Sequence, residues 1–559
     1  MKKIAKRLLA LLLVCLMITV VAACGKQGGD TPAANSDNSS GASPDSSGGN
    51  AGNAGDSGNA GNAGNAGNAG NAGDAGTADR GRPLNIAVSL DSGTLDPLAV
   101  SGSGGYMNIM WAFYEPLWDF TSDGEQFWIL ATGLDRISDI NCTLHIREGV
   151  TFSNGNPLTA DDVMFTMEMC RDDPQFVLNV KVVDFEKTKV TGDYTIDLWY
   201  TEFNASQEPG FSQMLIQDKE SYDKQYVAMN PIGTGPYVLA DNGYVVNGHV
   251  YLEAREDYWG GPPPIKNINF KCYNEESQRV NALETGDVDM AIIPLKDTGY
   301  VEGLGYDIRT IFGAYTDIIY FNMTPDASNP VGTKEARWAV CHAIDREAIV
   351  DIVYSGFSTP ATWPCSTRVL DYEPRFSMDH ETYVNAYNLD RAKELAEQSG
   401  LVGKTVRIIT NGDATMITIA EIIQSGLNAI GVDSQIVNHD QATYFGLLMN
   451  EENFEIAIHY MSSPSALAAD CLAMYPTFIP LGWVGADRDL YGQYSMGALT
   501  NSDPKAAGDL LYQALPILYD SCPWYSLCEV VSSRGVSKDL DGVTYTMSGI
   551  TYYQNVSWK

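Results

Sequence analysis

The spacing of apolar residues predicts both strands and helices along this chain. An apolar segment from Leu84 to Leu90 predicts a strand, which leads into a polar, glycine-rich turn. Residues 106–114 then predict a helix. The alternation of apolar and polar residues in Thr143–Arg147 is typical of strands, which we expect to dominate the following part.

Further helices are marked by their boundary residues. Thr159–Asp162 fits a capping box, so a helix is expected to begin there. Residues 335–343 and 347–354 are helical patterns separated by Asp345, whose carboxylate suits the N-cap of the second helix.

The segment from Thr405 to Val437 predicts a strand, a helix and a second strand. Val406–Ile409 is the first strand, apolar residues from Ile419 to Ile430 share one face of a helix, and Ser434–Val437 is the second strand. Such units pair their strands in parallel with a right-handed crossover. We therefore expect the turn at Asn411–Asp413 to lie at the carboxyl edge of a sheet.

Two interpretations of the turn Asn411-Gly412-Asp413 stay open. Ligands bind at the carboxyl edge of open α/β sheets, so Asn411 and Gly412 are candidate ligand contacts. The same three residues are also ordinary turn and helix-capping chemistry, which needs no ligand.

The N-terminus has the pattern of a secretory signal. Basic residues between Lys2 and Arg7 precede an apolar run shorter than the roughly 20 residues that a membrane-spanning helix needs. The run ends in Val21-Ala22-Ala23-Cys24, which resembles a lipobox. We expect residues 1–23 to be removed and Cys24 to carry two acyl chains, which hold a protein stably at a membrane. The alternative is an ordinary signal with an unrelated cysteine.

A low-complexity segment, residues 24–83, follows the signal. It consists mainly of Gly, Asn, Ala, Ser and Asp, with repeated Asn-Ala-Gly triplets. Because it has too few apolar residues to form a core, it predicts a disordered tether with a root-mean-square span of roughly 40 Å. The shortage of apolar residues that could stack inward also argues against a solenoid of repeated units.

Composition narrows the class of function. The chain has 559 residues, with 70 Asp and Glu against 35 Lys and Arg, and a formal net charge of −35. The electrostatic field of this negative charge repels nucleic acid and anionic lipid. The six histidines are scattered, and motifs of serine hydrolases, zinc proteases and nucleotide-binding loops are absent. We therefore expect no catalytic residues, no cofactor and no metal site, although a metal site assembled from distant positions stays an alternative.

Eight cysteines follow Cys24, in a compartment that permits disulfides. Spacing cannot determine their pairing. Cys522 and Cys528 are the first candidates because they are close in sequence, and buried free thiols are the alternative.

Several motifs in the body occur in an order found in one known family. The longest is Leu144–Val163, with the sequence LHIREGVTFSNGNPLTADDV. The others are Thr94–Pro97, Tyr114–Leu117, Asn230–Tyr237, Ala282–Asp289 and Ala343–Arg346. Together they resemble the oligopeptide- and dipeptide-binding family, the extracytoplasmic solute-binding proteins of peptide and nickel transporters, over nearly all of residues 84–559.

The resemblance implies a fold of the α/β class. It is the periplasmic-binding-protein-like fold, in which two hinged lobes surround mixed sheets and a small domain is inserted in the N-terminal lobe. Motif positions place residues 84–117, 230–321 and 516–559 in lobe I, 118–229 in the inserted domain, and 322–515 in lobe II. The chain would cross between lobes near Asn322 and Leu515.

The resemblance also implies a function. The protein would be a monomer anchored outside the cytoplasm, would capture a peptide-like or other small solute between its lobes, and would deliver it to the permease subunits of an ABC importer. A metal chelate as ligand and a sensor without transport are the alternatives.

Family position assigns candidate ligand contacts. They are Ser101, Gly102, Ser103, Tyr315, Trp363 and Tyr460. Any of the aromatic residues could instead belong to the core. In peptide-binding relatives an Asp just after the cleft aromatic pairs with the ligand's ammonium group. Here that position falls on or near Ser463, and Asp470 lies seven residues further on. We therefore expect a ligand that is not held by a free N-terminus.

Cys24 provides the first test. Replacing Cys24 by Ala should release the protein from membranes, because the residue that accepts the lipid is gone. Membrane fractionation and incorporation of labelled lipid measure this. A variant that still sediments with membranes and incorporates lipid would disprove the predicted anchor.

Overall fold

The computed structural model describes residues 81–89, 93–99, 107–173, 175–326, 328–377, 387–450, 453–461, 465–478 and 482–559. The predicted signal peptide, Cys24 and the predicted tether up to residue 80 lie outside these residues, as do Ser101, Gly102, Ser103 and Ser463. Across the described ranges, no helix combines the length and the apolar character that crossing a membrane requires.

The strands are distributed over the whole body. They are β1 Leu84–Val88, β2 Trp118–Phe120, β3 Gln126–Trp128, β4 Ala131–Ser138, β5 Asn141–Ile146, β6 Lys189–Gly192, β7 Thr195–Trp199, β8 Tyr237–Val245, β9 His249–Ala254, β10 Asn267–Cys272, β11 Met290–Ile293, β12 Tyr306–Phe321, β13 Thr405–Thr410, β14 Asp433–Asn438, β15 Ile456–Met461, β16 Trp524–Ser537, β17 Leu540–Asp541 and β18 Ser557–Trp558.

The helices are concentrated in the second half of the chain. They are α1 Met107–Phe113, α2 Ala160–Asp172, α3 Gln207–Phe211, α4 Lys224–Val227, α5 Glu276–Glu284, α6 Thr298–Gly303, α7 Lys334–Ala343, α8 Arg346–Tyr354, α9 Leu389–Ser399, α10 Ala414–Ala429, α11 Gln441–Asn450, α12 Ala468–Phe478, α13 Ala486–Leu499 and α14 Pro504–Ser521.

Several helices begin directly after a residue whose side chain caps the first turn. Thr159 and Asp162 form the expected capping box at α2. Asp345 accepts a hydrogen bond from the Ala348 amide at α8, and Asp413 accepts from two backbone amides at α10. These boundaries were predictable because each cap is a local interaction.

One large mixed sheet dominates the described part of the chain. Ten strands pair in the order β14-β13-β15-β12-β16-β11-β1-β10-β9-β8. β13 and β14 are parallel and joined through α10, so the predicted strand–helix–strand unit is confirmed. The combination of this sheet with flanking helices confirms the α/β class.

Two large hydrophobic cores and a smaller third cluster, which includes Ala87, Leu283 and Val301, lie along this sheet. The first core contains buried residues from Leu84 to Met290 and from Val536 to Trp558, and the second core contains those from Ala314 to Val531. The long strand β16 contributes to both cores, whereas its partner β12 contributes buried residues to the second core. The lobe boundaries near Asn322 and Leu515 stay a prediction. On β16 the buried side chains pass from the second core at Val531 to the first core at Val536.

A smaller antiparallel sheet, β4-β5-β7-β6, lies within residues 118–229, the predicted inserted domain. Its buried side chains belong to the first core. This region also contacts helices of the second core, because the Ala205 amide donates to the Leu499 carbonyl at 2.9 Å and Lys181 Nζ lies 3.1 Å from Asp470 Oδ1.

The suggested pairing of Cys522 with Cys528 is wrong. Cys522 Sγ lies 3.6 Å from Cys341 Sγ, whereas Cys528 Sγ lies 3.6 Å from Asp317 Oδ2, and all of these thiols are free. Cys522 ends α14 and Cys528 lies within β16, so extended chain separates them by roughly 20 Å. A disulfide requires Cα atoms within about 7 Å.

His459 is a titratable group enclosed in the second core. It lies on β15, and its ring is surrounded by those of Tyr320, Tyr444, Phe445 and Tyr460, with centroids between 5.1 and 6.1 Å away. Its Nδ1 has no hydrogen-bond partner. Burial lowers the pKa of His459 to about 4, so the imidazole stays neutral in the folded protein.

Protonation of His459 should therefore destabilise the fold in acid. A histidine in the unfolded chain has a pKa near 6.5. The free energy of unfolding therefore has its full value well above that pH, and it falls by about 3 kcal/mol as the pH decreases to about 4. The variant His459→Met should lack this loss. Because Asp317, with a pKa raised to about 6, contributes with the opposite sign in this window, the readout is the difference between the two proteins.

Urea unfolding of both proteins at pH 8, 7, 5.5 and 4.5 measures this difference. The value at pH 8 is the internal control, since the histidine is neutral there in both the folded and the unfolded state. A stability difference that stays constant over the whole range would contradict the prediction.

Candidate functional site

The regular pairing of β12 with β16 is interrupted between the two cores. Phe312 opposes Val531 and Thr316 opposes Glu529, so the three residues 313–315 face a single residue of β16. A Cβ atom at Gly313 would lie 2.5 Å from the Tyr315 ring, which explains the glycine. Such a bulge bends the strand and redirects its side chains.

Two of the predicted ligand contacts come together at this interruption. Tyr315 and Tyr460 meet edge to face, with ring centroids 6.2 Å apart. Both rings are only partly buried. Burial raises the pKa of Tyr460, and the nearby carboxylate of Asp413 raises it further, so the β13–α10 turn lies beside these rings. Aromatic faces next to a carboxyl edge of strands suit a small solute.

The Asn411–Asp413 turn is held by its own hydrogen bonds. Asn411 Nδ2 donates to Gln441 Oε1 at 2.8 Å, and Asn411 Oδ1 accepts from the Asp413 amide at 3.1 Å. Gly412 has φ +83°, a conformation that favours glycine. The turn and capping chemistry is therefore present, and ligand contact by Asn411 and Gly412 stays a prediction.

Trp363 lies away from the two tyrosines, in the second core. Its side chain is fully buried and packs on Phe376 and Tyr372, with ring centroids 5.4 and 5.3 Å away. Its contact with ligand stays a prediction, and its packing favours the core alternative.

Buried acidic residues surround the strand interruption. Glu529 accepts hydrogen bonds from Ser366 Oγ at 2.5 Å and from the Thr367 amide at 2.8 Å. Asp317 accepts from Tyr354 at 2.5 Å. Burial raises the pKa of both carboxyl groups, and these hydrogen bonds oppose the rise. The donors indicate that both acids hold the segment 358–367 and α8 against the long strands.

A cavity of about 830 Å³ opens next to β12 on the side of the first core. The β2–β3 hairpin, residues 308–310 of β12, and residues 543–545 and 552–555 enclose it. Its aromatic lining residues are Phe127, Trp128, Tyr258, Trp259, Tyr545 and Tyr552. A cavity of this volume and lining is in the range that holds small ligands.

Glu115 lies at the base of this cavity and was not predicted. Its carboxylate accepts hydrogen bonds from Tyr258 at 2.6 Å, Trp259 Nε1 at 2.9 Å and Thr234 Oγ1 at 2.9 Å. Glu115 and Thr234 belong to two motifs of the family resemblance, so this hydrogen bond connects the two motifs in space. Spacing could not reveal it, because 119 residues separate them.

Two arginines near the cavity were also missed. Arg309 lines the cavity, and Arg534 on β16 is the direct cross-strand partner of Arg309. No motif marks either residue. Throughout the described ranges, no group of three or more His, Cys, Asp or Glu side chains could hold a metal ion.

Comparison with protein families gives one match that covers most of the body. The model "Bacterial extracellular solute-binding proteins, family 5 Middle" matches residues 130–477, which is more than half of the chain.

Individual relatives are named as binding proteins for small ligands. The nickel-binding protein NikA of Staphylococcus aureus is 24% identical over 369 residues, covering 64% of this chain and 70% of that protein. The glutathione-binding protein GsiB of Salmonella paratyphi A is 22% identical over 481 residues, covering 82% of this chain and 91% of that protein.

A solved structure supports the same fold. NikA from Brucella suis, in complex with Fe(III)-EDTA, superposes with a TM-score of 0.75 at 19% identity, over 86% of this chain and all of that one. The expected two-lobed fold is therefore confirmed. The chain belongs to the bacterial extracellular solute-binding proteins of family 5.

Proposed function

We propose that this protein is the lipid-anchored substrate-binding component of an ABC importer. It captures a peptide-like or other small solute between its lobes and delivers it to the permease. Cys24 holds it at the outer face of the cell membrane, and residues 24–83 let the body reach the permease.

The single observation behind this proposal is the junction of the two cores. β16 runs through both, and its pairing with β12 is interrupted at residues 313–315, beside Tyr315 and Tyr460. A solute at that junction would touch both lobes, so closure would remove it from water on both sides. Binding without chemistry agrees with relatives that are themselves named as binding proteins.

A thermal-shift screen tests capture. The panel should contain peptides, amino-acid derivatives, sugars and metal chelates, since the chelates address the nickel-type alternative. A ligand at a hundred times its dissociation constant should stabilise the folded state by roughly 2.7 kcal/mol. Small-angle scattering should show compaction on binding.

Tyrosine variants provide the matched control. Tyr460→Ala should weaken binding of any compound found, whereas Tyr512→Ala, which removes an exposed tyrosine of α14, should not. A full panel without a stabilising compound, or equal binding by the two variants, would count against capture at this junction.

The acidic residue nearest to the expected ammonium position is already engaged. Asp470 Oδ1 pairs with Lys181 Nζ at 3.1 Å, and Asp470 Oδ2 accepts a hydrogen bond from Ser465 at 2.8 Å. Its side chain is only 3% exposed. A ligand ammonium would have to displace these partners. This favours a ligand whose affinity does not depend on a free N-terminus.

Acetylation tests this expectation. A tightly bound peptide and its N-acetylated form should differ in affinity by less than about tenfold in calorimetry, because no carboxylate is reserved for the ammonium group. The measurement should be repeated with Asp470→Asn and with Asp413→Asn, since the Asp413 carboxylate raises the pKa of Tyr460. A large loss on acetylation that either variant abolishes would overturn the expectation and favour a conventional peptide binder.

A further inference from the structure

Two buried thiols lie side by side in the second core. Cys341 belongs to α7, and Cys522 follows the last residue of α14. Their Sγ atoms are 3.6 Å apart, although 181 positions separate the two residues in the chain. Cys341 is fully buried and Cys522 is 3% exposed. A thiol is a weak hydrogen-bond donor and acceptor, so this contact by itself contributes little to the stability of the fold.

Neighbouring contacts fix the backbone on both sides of this pair. The buried Arg337 guanidinium donates to the Ser521 carbonyl, through Nε at 3.1 Å and through Nη2 at 2.7 Å. One turn earlier on α7, Lys334 Nζ pairs with Asp520 Oδ1 at 2.9 Å. Positions 334, 337 and 341 share one face of the helix, so they meet three consecutive residues at the end of α14. The two thiols are therefore held together by more than their own contact.

The backbone at Cys522 is unusual for a residue with a side chain. Its φ is +45°, in the left-handed region where glycine commonly ends a helix. A residue other than glycine in this region costs free energy, and it persists where its surroundings compensate. The thiol contacts Cys341 and, at 3.9 Å, the Trp524 carbonyl, and both contacts are weak. A covalent bond to Cys341 is a stronger reason for a cysteine at this position.

A second pair of thiols provides a comparison. A hydrogen bond to Cys365 and burial raise the pKa of Cys471, and Cys365 Sγ lies 3.6 Å from Met461 Sδ. Neither cysteine of this pair has a left-handed backbone. Proximity of thiols thus occurs twice in the second core, and the unusual backbone distinguishes the pair at Cys341 and Cys522.

Compartment and burial determine when such thiols can react. The family to which the chain belongs is extracellular, and disulfides form and persist outside the cytoplasm. In the folded protein, burial raises the pKa of the Cys341 thiol well above its usual range, and the contact with Cys522 raises it further. Because the thiolate is the nucleophile in disulfide exchange, the closed core protects this thiol. Oxidation must therefore occur during folding, while the second core is still open.

We propose that Cys341 and Cys522 form a disulfide when the exported chain folds. The oxidant is the disulfide of an extracytoplasmic thiol–disulfide oxidoreductase. A bond forms between the two Sγ atoms, the disulfide of the oxidoreductase breaks, and its two sulfurs take up the two electrons and the two thiol protons. The Sγ atoms move from 3.6 Å to about 2.05 Å apart, which side-chain rotation can supply.

The bond closes a loop that contains α8 to α14 and the strands β13 to β15. Cys341 comes after β12, and Cys522 comes just before β16, so the bond ties together both ends of the segment between the two long strands. Cross-linking lowers the entropy of the unfolded chain, and more so for a long loop. The second core therefore keeps its packing when the lobes move. The bond is independent of ligand capture, and its test needs no ligand.

Peptide mapping of the full chain tests the bond directly. The protein is exported from a bacterial host, its free thiols are blocked with N-ethylmaleimide in denaturant, and it is digested without reductant. Trypsin leaves Cys522 and Cys528 on one peptide, so chymotrypsin is added to cleave after Tyr525. Mass spectrometry should then show the peptide of Cys522 linked to that of Cys341.

Melting temperatures separate a covalent bond from packing. The exported protein should melt roughly 5 to 15 °C higher than the same protein refolded in dithiothreitol, because reduction removes the constraint on the unfolded chain. Cys522→Gly should abolish this difference, and glycine suits the left-handed backbone at that position. Cys341→Ser provides the same test if Cys522→Gly does not fold. Cys170→Ala, which removes a buried thiol of the first core, is the matched control and should retain the difference.

The other outcomes overturn the inference. Alkylated thiols at both Cys341 and Cys522 in the exported protein would refute the disulfide, and so would a bond from either residue to a different cysteine. A melting temperature that reduction does not change would have the same meaning. A difference of unchanged size in Cys522→Gly would assign the effect of reduction to other thiols, such as Cys365 and Cys471, and would also refute it.

Discussion

The antiparallel pairing of β12 with β16 is the interaction on which the rest of the structure depends. Tyr306–Phe312 pairs with Val531–Ser537 on one side of the interruption at residues 313–315, and Thr316–Phe321 pairs with Trp524–Glu529 on the other side. Because backbone hydrogen bonds run on either side of residues 313–315, the lobes cannot separate without breaking a ladder. Their relative motion is least costly where that ladder is already interrupted.

Buried polar groups near this junction fall into two classes. Glu529, Asp317 and Glu115 are surrounded by donors, which makes them part of the framework that holds loops and motifs in place. Arg534 instead donates to the Gly549 carbonyl and lies over the Tyr545 ring, and it has no ion pair among the described residues. The acids therefore belong to satisfied networks that stabilise the fold, whereas the arginine is held by backbone and ring contacts.

The position of Lys181 against Asp470 links the region 118–229 to the second lobe. The pair is largely enclosed, so separating its members would leave a carboxylate in surroundings of low polarity. It therefore favours the arrangement of lobes seen here. Because Asp470 is occupied by this ion pair, it is not available to bind the ammonium group of a ligand.

The sequence by itself determined the features that depend on neighbouring residues. Caps at Thr159, Asp345 and Asp413, and the strand–helix–strand unit around α10, were predictable because their interactions span a few positions. The family motifs determined the fold class and brought Tyr315 and Tyr460 to the candidate site. Local patterns therefore sufficed for the elements and for part of the site.

Only the tertiary structure decided which distant residues meet. It placed Cys522 beside Cys341 and Cys528 beside Asp317, and it enclosed Trp363 in the second core. It set Arg309 opposite Arg534, although 225 positions in sequence lie between a residue of β12 and its partner on β16. Burial, register and the loss of a counter-charge are properties of packing, and no spacing along the chain encodes them.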